Sequence, residues 1–404
     1  MTLSRKLRSG QHEFTQYREA LKSKGAGRRP RVISIPTVRD RIVLRALADV
    51  LGAVYPDTKG AIPQEKINYV KNMVEQNRYD TYIRLDVKEF YPSISHDRVM
   101  LRVGRRIKKP EIVDLILKAI RTPTVPDRAP KRRAVELGVP QGLAVSNILA
   151  ELVARPIDRS AERDGRFFYV RYVDDVLILC KEADAVDIAR SVIDLFDEEG
   201  LTIHNLGESG GKSQTGSIVD GFDYLGYLFN ANGLSARKSS VHNVESALAR
   251  AFTRYAKTAH SGHVNVPLAR CHWKVNLIVT GCVYNGVARG WLHYFRQMDD
   301  LTLIKRLDLT VDGFVKRFSM PESFVSKRFM RAYWEIRAGK FRTNADAYIP
   351  NFDLASIRDM RSVLAQVVGH KEVGRLSDVQ VKINFDRFVG KMVAELEEDI
   401  GFVS

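Results

Sequence analysis

The segment FFYVRYVDDVLILC, residues 167–180, places two adjacent aspartates inside an otherwise apolar stretch of the chain. The apolar and aromatic residues on both sides predict two strands, and the acid pair predicts a tight turn between them. Asp174 and Asp175 would repel each other at this turn, and burying either carboxylate would be costly. A bound divalent cation would offset both penalties, so the pair predicts a metal site. The alternative interpretation is a pair of solvated turn residues.

A third acid lies in a similar context. In residues 82–87, YIRLDV, apolar side chains alternate with Arg84 and Asp86, which predicts a strand with these two residues on one face. The strands that carry Asp86 and Asp174 are predicted to be neighbours in one antiparallel sheet. Their carboxylates would then converge on two Mg²⁺ ions, with Mn²⁺ as the alternative cation. Two such ions about 4 Å apart can activate a hydroxyl group and stabilise a leaving pyrophosphate.

The net charge of +16 is unevenly distributed along the 404 residues. Residues 1–50 carry 12 Lys and Arg against 4 Asp and Glu, and residues 231–350 carry 19 against 8. Residues 51–230 are nearly neutral, with 26 against 27. Two basic flanks around a neutral centre are typical of a protein that holds a polyanion and processes it between them. The alternative interpretation is a set of solvated charged faces.

The composition also indicates where in the cell the protein is expected. The chain has no apolar run of the roughly 18 residues that span a bilayer, so no membrane partner is expected. The first residues, MTLSRKLRSGQHEF, lack the apolar core of a secretory signal. Three cysteines are too few for a disulfide framework. We therefore expect a cytoplasmic protein.

Several segments together resemble the motifs of reverse transcriptases, from about residue 24 to residue 320. IRLDVKEFYPSI, GVPQGLAVSNILA, YVDD and GLTIHNLGESGGKS are similar to four successive palm motifs, and FDYLGYLF is similar to the primer grip. RVISIPTVRDRIVLRAL resembles the fingers of group II intron reverse transcriptases, and ARGWLHYFRQMDDLTLIKRLDLTVDGFVKRF resembles their thumb. The resemblance implies an α+β right-hand polymerase with fingers, an antiparallel-sheet palm and a helical thumb.

The resemblance also implies the domain organisation. Patterns of mixed helix and strand give way to mainly helical ones near residue 235, where we place the main boundary. Residues 1–80 would form a basic N-terminal region with fingers, and residues 81–234 the palm with inserted fingers helices. Residues 235–320 would form the thumb, followed by a helical extension over residues 321–404.

Site residues follow from the same motifs. The resemblance implies a catalytic role for Lys212 near the triphosphate, beside the three acids. It implies a metal site made by four residues: Asp86, Val87, Asp174 and Asp175.

The resemblance implies three further groups of residues that contact substrates. Arg31 falls where a triphosphate-binding arginine is found, with Lys24 as its candidate partner. Tyr91 would pack beneath the sugar and exclude a 2′-hydroxyl. The nucleotide pocket would be lined by Gln141 and Gly142, and the primer grip would be centred on Leu225 and Gly226.

The implied activity is addition of dNTPs to a primer 3′ end on an RNA template, with Mg²⁺. Residues 351–404 contain no cysteine and one histidine, whereas mobile-intron enzymes often end in a region with Cys and His pairs. The resemblance therefore favours the bacterial defence-associated reverse transcriptases, which use a structured companion noncoding RNA.

Other functions stay open at the level of sequence. These are a maturase that acts chiefly by binding RNA, and untemplated or protein-primed DNA synthesis. An RNA-dependent RNA polymerase is disfavoured by Tyr91 and by the Pro140-Gln141-Gly142 segment. The oligomeric state, the template RNA and the type of primer stay open as well.

Overall fold

A computed structural model of the chain describes residues 2–23, 30–58, 60, 62–127, 130, 132–207, 211–259, 265–339 and 348–400. Lys24, one of the predicted substrate-binding residues, lies outside the described residues. The chain forms two compact units, Met1–Ile218 and Val219–Val403.

The first unit mixes strands and helices. Its strands are β1 (Tyr17–Lys22), β2 (Arg31–Ile35), β3 (Thr81–Asp86), β4 (Thr124–Val125), β5 (Phe168–Tyr172), β6 (Asp175–Cys180) and β7 (Gln214–Ser217). Its helices are α1 (Leu3–Arg8), α2 (Val38–Val54), α3 (Pro63–Glu75), α4 (Phe90–Ser93), α5 (His96–Val103), α6 (Pro110–Arg121), α7 (Ser146–Asp164) and α8 (Ala185–Glu198).

The four-stranded sheet of this unit has the order β5-β6-β3-β7, and all of its neighbouring strands are antiparallel. β5 and β6 form the hairpin that the sequence predicts, and β3 pairs with β6 as expected. The prediction of an α+β fold with an antiparallel palm sheet is confirmed.

One face of this sheet packs into the largest core of the unit. Ile83 and Leu85 of β3 and Ile178 of β6 are fully buried there, as the alternation of the strands requires. Helix α7 covers β5 with apolar residues spaced four apart, Leu149 and Val153 among them. The other face carries Arg84 and Asp86 of β3 and Asp175 of β6.

A smaller sheet has the order β2-β1-β4, with β1 and β2 antiparallel and β1 and β4 parallel. β2 ends at Ile35, directly before Pro36, which lacks the N–H group that a ladder requires. Helix α2 then begins after Thr37, whose side chain accepts a hydrogen bond from the backbone N–H of Asp40. These turns place β2 and α2 next to each other.

The second unit begins with a three-stranded antiparallel meander and continues mainly as helices. Its strands are β8 (Phe222–Tyr224), β9 (Tyr227–Asn230), β10 (Gly233–Ala236), β11 (Cys282–Tyr284) and β12 (Val287–Arg289). Its helices are α9 (Lys238–Ala259), α10 (Asn265–Thr280), α11 (Trp291–Tyr294), α12 (Leu301–Arg317), α13 (Phe329–Arg337), α14 (Ile357–Val368), α15 (His370–Gly374) and α16 (Asp378–Ile400).

Residues 222–230 form the β8–β9 hairpin, whose turn residues Leu225 and Gly226 adopt positive φ angles of 47° and 80°. The β11–β12 hairpin interrupts the region beyond residue 235, which the sequence predicts to be mainly helical. The division into fingers, palm, thumb and extension stays a prediction. None of the helices in the described parts of the chain has the length and apolar character needed to cross a bilayer.

Candidate active site

The paired strands β3 and β6 bring the predicted acids together. Asp86 is the last residue of β3 and Asp175 the first residue of β6, and their Cα atoms are register partners. Asp174 occupies the preceding turn, and its carbonyl accepts a hydrogen bond from the backbone N–H of Val87 at 3.1 Å. Three carboxylates therefore lie at one edge of the sheet, and Val87 lies beside them.

The turn between β5 and β6 consists of Val173 and Asp174. Val173 has a φ of +58°, in the left-handed region that a β-branched residue rarely adopts. Such a backbone costs on the order of 1–3 kcal/mol and persists only where surrounding contacts hold it. Here the side chain of Arg171 donates to the carbonyl of Val173 at 2.9 Å. The strained turn is thus held by a side chain from the neighbouring strand.

Asp174 is a partly buried acid with unused hydrogen-bonding capacity. Its Oδ1 atom is buried and has no hydrogen-bond partner among the described residues. Burial and the nearby Asp86 carboxylate raise the pKa of Asp174, while the positive charges of Arg31 and Lys212 oppose that rise. A buried carboxylate oxygen without a partner is a suitable ligand for a divalent cation.

Asp175 differs from its neighbour because it has an arginine partner. Arg84 binds it in a bidentate manner, with Nε to Oδ1 and Nη2 to Oδ2 distances of 2.9 Å each. Burial raises the pKa of Asp175 to about 6 despite this ion pair, with smaller upward contributions from Asp174 and Asp86. Both oxygens of this carboxylate accept hydrogen bonds from Arg84.

Asp86 is contacted by two side chains from the segment that precedes β7. The Lys212 ammonium lies 2.9 Å from its Oδ2 atom, and His204 Nε2 lies 3.4 Å from the same oxygen. The backbone N–H of His204 also donates to the carbonyl of Asp86 at 2.9 Å. Lys212 is 57% exposed, so it can leave Asp86 for an anionic ligand at little cost.

The predicted nucleotide-pocket residues lie next to β2. The carbonyl of Gln141 accepts from the backbone N–H of Ser34 at 2.7 Å. Gly142 has a φ of +99°, and a Cβ atom there would lie 2.8 Å from Ile33 Cγ2. Only glycine fits this approach without displacing the strand. A groove of about 560 Å³ opens here, lined by residues of β2, α2 and the segment from Gly142 to Asn147.

Tyr91 and Arg31 lie within electrostatic reach of the acids. The Tyr91 hydroxyl donates to Asn147 Oδ1 at 2.7 Å, which ties the ring to the groove. Burial raises the pKa of Tyr91 to about 12, with further upward contributions from Glu151 and Asp174 and a downward one from Arg31. The structure therefore groups the predicted sugar-contacting and triphosphate-binding residues with Asp174. Leu225 and Gly226, the predicted primer grip, form the β8–β9 turn of the second unit.

A metal site was predicted at Asp86, Val87, Asp174 and Asp175. Within the described ranges, no group of three or more His, Cys, Asp and Glu side chains is arranged as a ready ligand set. That all three acids are metal ligands stays a prediction, and Asp175 accepts two hydrogen bonds from Arg84. Asp86 and the unpartnered oxygen of Asp174 nevertheless fit a hard cation, which prefers oxygen ligands.

Four side chains at this site were not singled out from the sequence: Arg84, Asn147, Arg171 and His204. Arg84 was placed on the same strand face as Asp86, but its pairing with Asp175 depends on the β3–β6 register. Asn147 lies six residues after Gln141 in the same motif, which is the signal that could have indicated it. Nothing in the sequence pattern indicated His204.

Arg171 belongs to a buried charge network behind the acid turn. Its side chain is 2% exposed and forms bidentate ion pairs with Asp158 and Glu151 of α7, with the closest distance to each 2.8 Å. Tyr169 donates a further hydrogen bond to Asp158 at 3.0 Å. The ion pair with Arg171 holds the pKa of Asp158 below its usual value against the effect of burial. The network connects α7 to the carbonyl of Val173.

Comparisons with known proteins agree with this geometry. Residues 22–229, more than half of the chain, match the family described as reverse transcriptase (RNA-dependent DNA polymerase). The putative COX1/OXI3 intron 1 protein of Saccharomyces cerevisiae is 28% identical over 171 residues, 40% of this chain and 20% of that protein. Protein YkfC of Escherichia coli is 24% identical over 243 residues, 49% of this chain and 62% of that protein.

Among solved structures, apo telomerase from Candida tropicalis is similar over 96% of this chain and 68% of that chain, with a TM-score of 0.47 and 12% identity. This chain spans one fifth of the yeast relative and under two thirds of the bacterial one.

An antiparallel sheet that carries paired acids at one edge, beside a groove with basic and aromatic residues, is the architecture of a polymerase palm. The chain belongs to the reverse transcriptase family. Members of this family generally use divalent metal ions.

Replacing Arg171 by Met should destabilise the protein by roughly 3–5 kcal/mol, because the buried carboxylate of Asp158 and the partly buried one of Glu151 lose their shared partner. Denaturant unfolding of wild type and variant would measure this. Arg166→Met is the matched control, since Arg166 pairs with Asp164 in a comparable bidentate manner but is 52% exposed. It should lose less than about 1 kcal/mol. Equal losses in both variants would contradict a structural role for the buried network.

Proposed function

We propose that this chain is an RNA-directed DNA polymerase that adds dNTPs to the 3′ end of a primer on an RNA template. The observation that carries the proposal is the β3–β6 register, which sets Asp86 beside Asp174 and Asp175 in a chain of the reverse transcriptase family. Phosphoryl transfer requires mainly positioning and neutralisation of charge. A sheet edge with acids next to exposed cations supplies both.

Magnesium is the proposed cofactor, as two ions held by acids at this edge. When bound, the two ions would promote attack by the 3′-hydroxyl and stabilise the departing pyrophosphate. Lys212 supports this assignment because it already contacts Asp86 and is largely exposed. We propose that it moves to the triphosphate, where it orients the phosphates or protonates the pyrophosphate. Arg31 would bind phosphate oxygens in a bidentate manner.

The groove beside β2 is the proposed position of the incoming nucleotide. Gly142 lets its segment lie close to β2, and the carbonyl of Gln141 accepts a hydrogen bond from the backbone N–H of Ser34 in β2. Tyr91 is tied to Asn147 at the side of the groove. We propose that its ring supports the sugar and leaves no space for a 2′-hydroxyl. Selection then depends on a steric clash with rNTPs.

The proposed template is a structured companion noncoding RNA, and the proposed setting is antiviral defence in a bacterial cytoplasm. The +16 charge, concentrated in residues 1–50 and 231–350, supports a nucleic-acid partner. The similarity to a protein of Escherichia coli supports a bacterial origin. The motif resemblance to defence-associated reverse transcriptases supports the use of a dedicated RNA.

A second candidate is an RNA-binding, maturase-type role in which synthesis is secondary. It is favoured by the similarity to a yeast protein that is described as an intron protein. Both roles need the basic surfaces, but only the polymerase needs the acids. The two candidates are therefore separated by variants at the acids.

Replacing Asp174 by Asn should lower primer extension with dNTPs by at least about 100-fold, or about 2.7 kcal/mol of transition-state stabilisation. The variant removes one charge but keeps the shape of the side chain. The dissociation constant for RNA should change by less than about threefold, because cationic residues supply that affinity. Extension and filter binding on one preparation would measure both.

Asp187→Asn is the control for Asp174→Asn, since Asp187 is an acid of α8 that is 76% exposed. It should leave both quantities unchanged. Extension by the Asp174 variant at the wild-type rate would reject the polymerase assignment and leave RNA binding as the function.

Replacing Tyr91 by Ala should reduce the ratio of kcat/KM for dNTP over rNTP by about 10- to 1,000-fold, or about 1.4–4 kcal/mol. The loss should come mainly from faster rNTP incorporation, because truncation opens space for the 2′-hydroxyl. Tyr91→Phe keeps the ring and loses only the bond to Asn147, so it should keep most of the ratio. Single-nucleotide extension would measure each substrate. Equal slowing of both substrates by Tyr91→Ala would make Tyr91 a packing residue.

RNA that copurifies with the protein from its native cells should be dominated by one structured species. Sequencing that RNA, before and after a wash at 1 M salt, would identify it. Loss of the gene should raise phage sensitivity, with an unrelated gene deletion as control. A random mixture of cellular RNA together with unchanged phage sensitivity would contradict the companion-RNA proposal.

A further inference from the structure

The two adjacent aspartates of the acid turn have different environments. Both oxygens of Asp175 accept from the guanidinium of Arg84, whereas Asp174 Oδ1 is buried without a hydrogen-bond partner among the described residues. The side chain of Asp175 is 6% exposed and that of Arg84 is 21% exposed. One acid is therefore already neutralised by the protein, and the other is available to a ligand.

The geometry of the sheet explains this pairing. Arg84 and Asp86 are two residues apart on β3, so their side chains leave the same face. Asp175 is the register partner of Asp86, which places it diagonally across from Arg84. The planar fork of arginine matches both carboxylate oxygens at once, which a lysine ammonium cannot do. A shift of one residue in register would move Arg84 to the opposite face relative to Asp175.

Electrostatics indicates why the fold contains this arginine. Asp174 and Asp175 are adjacent, and Asp86 lies beside them with its side chain 22% exposed. Three like charges this close together oppose one another's ionisation. Arg84 cancels one of the charges and leaves two carboxylates for cations. A cation that used the remaining lone pairs of Asp175 would lie close to the guanidinium of Arg84, whose positive charge opposes its binding.

From this geometry, and on the basis of the function proposed above, we infer a division of roles within the acid pair. Asp86 and Asp174 supply the side-chain carboxylates that hold divalent cations, and Asp175 is an anchor of the acid turn. Arg84 is a positioning residue that holds this anchor in place. Asp175 thus acts through the position of Asp174 and does not contact the cations directly.

Binding of Mn²⁺ to the protein without nucleic acid tests the inference independently of activity. Titration followed by electron paramagnetic resonance would give the dissociation constant for each variant. Asp174→Asn should weaken binding by at least about tenfold, since it removes a ligand. The double variant Arg84→Gln with Asp175→Asn, in which a neutral amide pair replaces the ion pair and keeps the turn anchored, should bind within about threefold of wild type, or about 0.7 kcal/mol.

The double variant is needed because Asp175→Asn alone would leave the Arg84 cation unpaired beside the site. Arg84→Met with Asp175→Asn removes the anchor, so it should weaken Mn²⁺ binding by about tenfold or more because the acid turn is no longer held. Lys181→Met is the matched control, because Lys181 pairs with Asp80 at the opposite end of the same two strands. It should not change Mn²⁺ binding.

A kinetic readout separates a positioning role from a purely structural one. Arg84→Met should lower kcat of primer extension by at least about tenfold while KM for dNTP stays within about threefold, because the acid turn is displaced and the nucleotide groove is not. Arg84→Lys should recover only part of kcat, since it restores the charge without the fork.

The outcomes distinguish this inference from the proposed function. If Arg84→Gln with Asp175→Asn weakens Mn²⁺ binding as strongly as Asp174→Asn does, Asp175 is a ligand and the inference is wrong. If Asp174→Asn binds Mn²⁺ as wild type does and wild type extends no primer, the proposed function itself fails, and the inference fails with it. Retained Mn²⁺ binding in Arg84→Gln with Asp175→Asn, together with loss in Asp174→Asn, supports the division of roles.

Discussion

The register between β3 and β6 is the constraint on which the rest of the active site depends. It sets the last residue of one strand beside the first residue of the other, so that Asp86 and Asp175 share one face of the sheet. The opposite face of β3 and β6 is mainly apolar and buried, with Ile83 and Ile178 among its residues. A slip of one residue would bury the acids and expose the core residues, which makes this register much more stable than its alternatives. Stability and chemistry are therefore specified by the same pairing.

Two arginines stabilise the acid turn through different contacts. Arg84 neutralises Asp175 on the site face, whereas Arg171, on the other face of the sheet, holds the carbonyl of Val173. Arg171 is itself fixed by two acids of α7, so the left-handed conformation of Val173 is maintained by a buried network. The strain of the turn and the repulsion between its acids are both offset locally. This arrangement lets two adjacent carboxylates occupy a turn with apolar strands on either side.

The groove beside β2, proposed above to hold the incoming nucleotide, is formed by segments that are distant in the sequence. The backbone hydrogen bond between Ser34 and Gln141 joins β2 to the segment before α7, and Gly142 permits their close approach. Tyr91 reaches Asn147 from the segment that follows β3. Positioning of a substrate within about 3 Å of reacting groups is worth several kcal/mol in catalysis. A groove made of three segments can position a substrate only if the fold holds each segment in place. The hydrogen bonds described above hold these three segments.

The sequence by itself determined the strands, the hairpin and the identity of the three acids, because apolar alternation interrupted by charge is a local pattern. It also indicated Tyr91, Gln141 and Arg31 through motif resemblance, and the structure groups them near Asp174 or beside β2. The tertiary structure alone decided which acid has an arginine partner. Arg84 and Asp175 are 91 residues apart in sequence, and only the strand register brings them together. The contact between His204 and Asp86, and the network of Arg171 with α7, likewise depend on packing between distant segments. Local patterns determine which residues face a site, but pairing between them is a property of the folded chain.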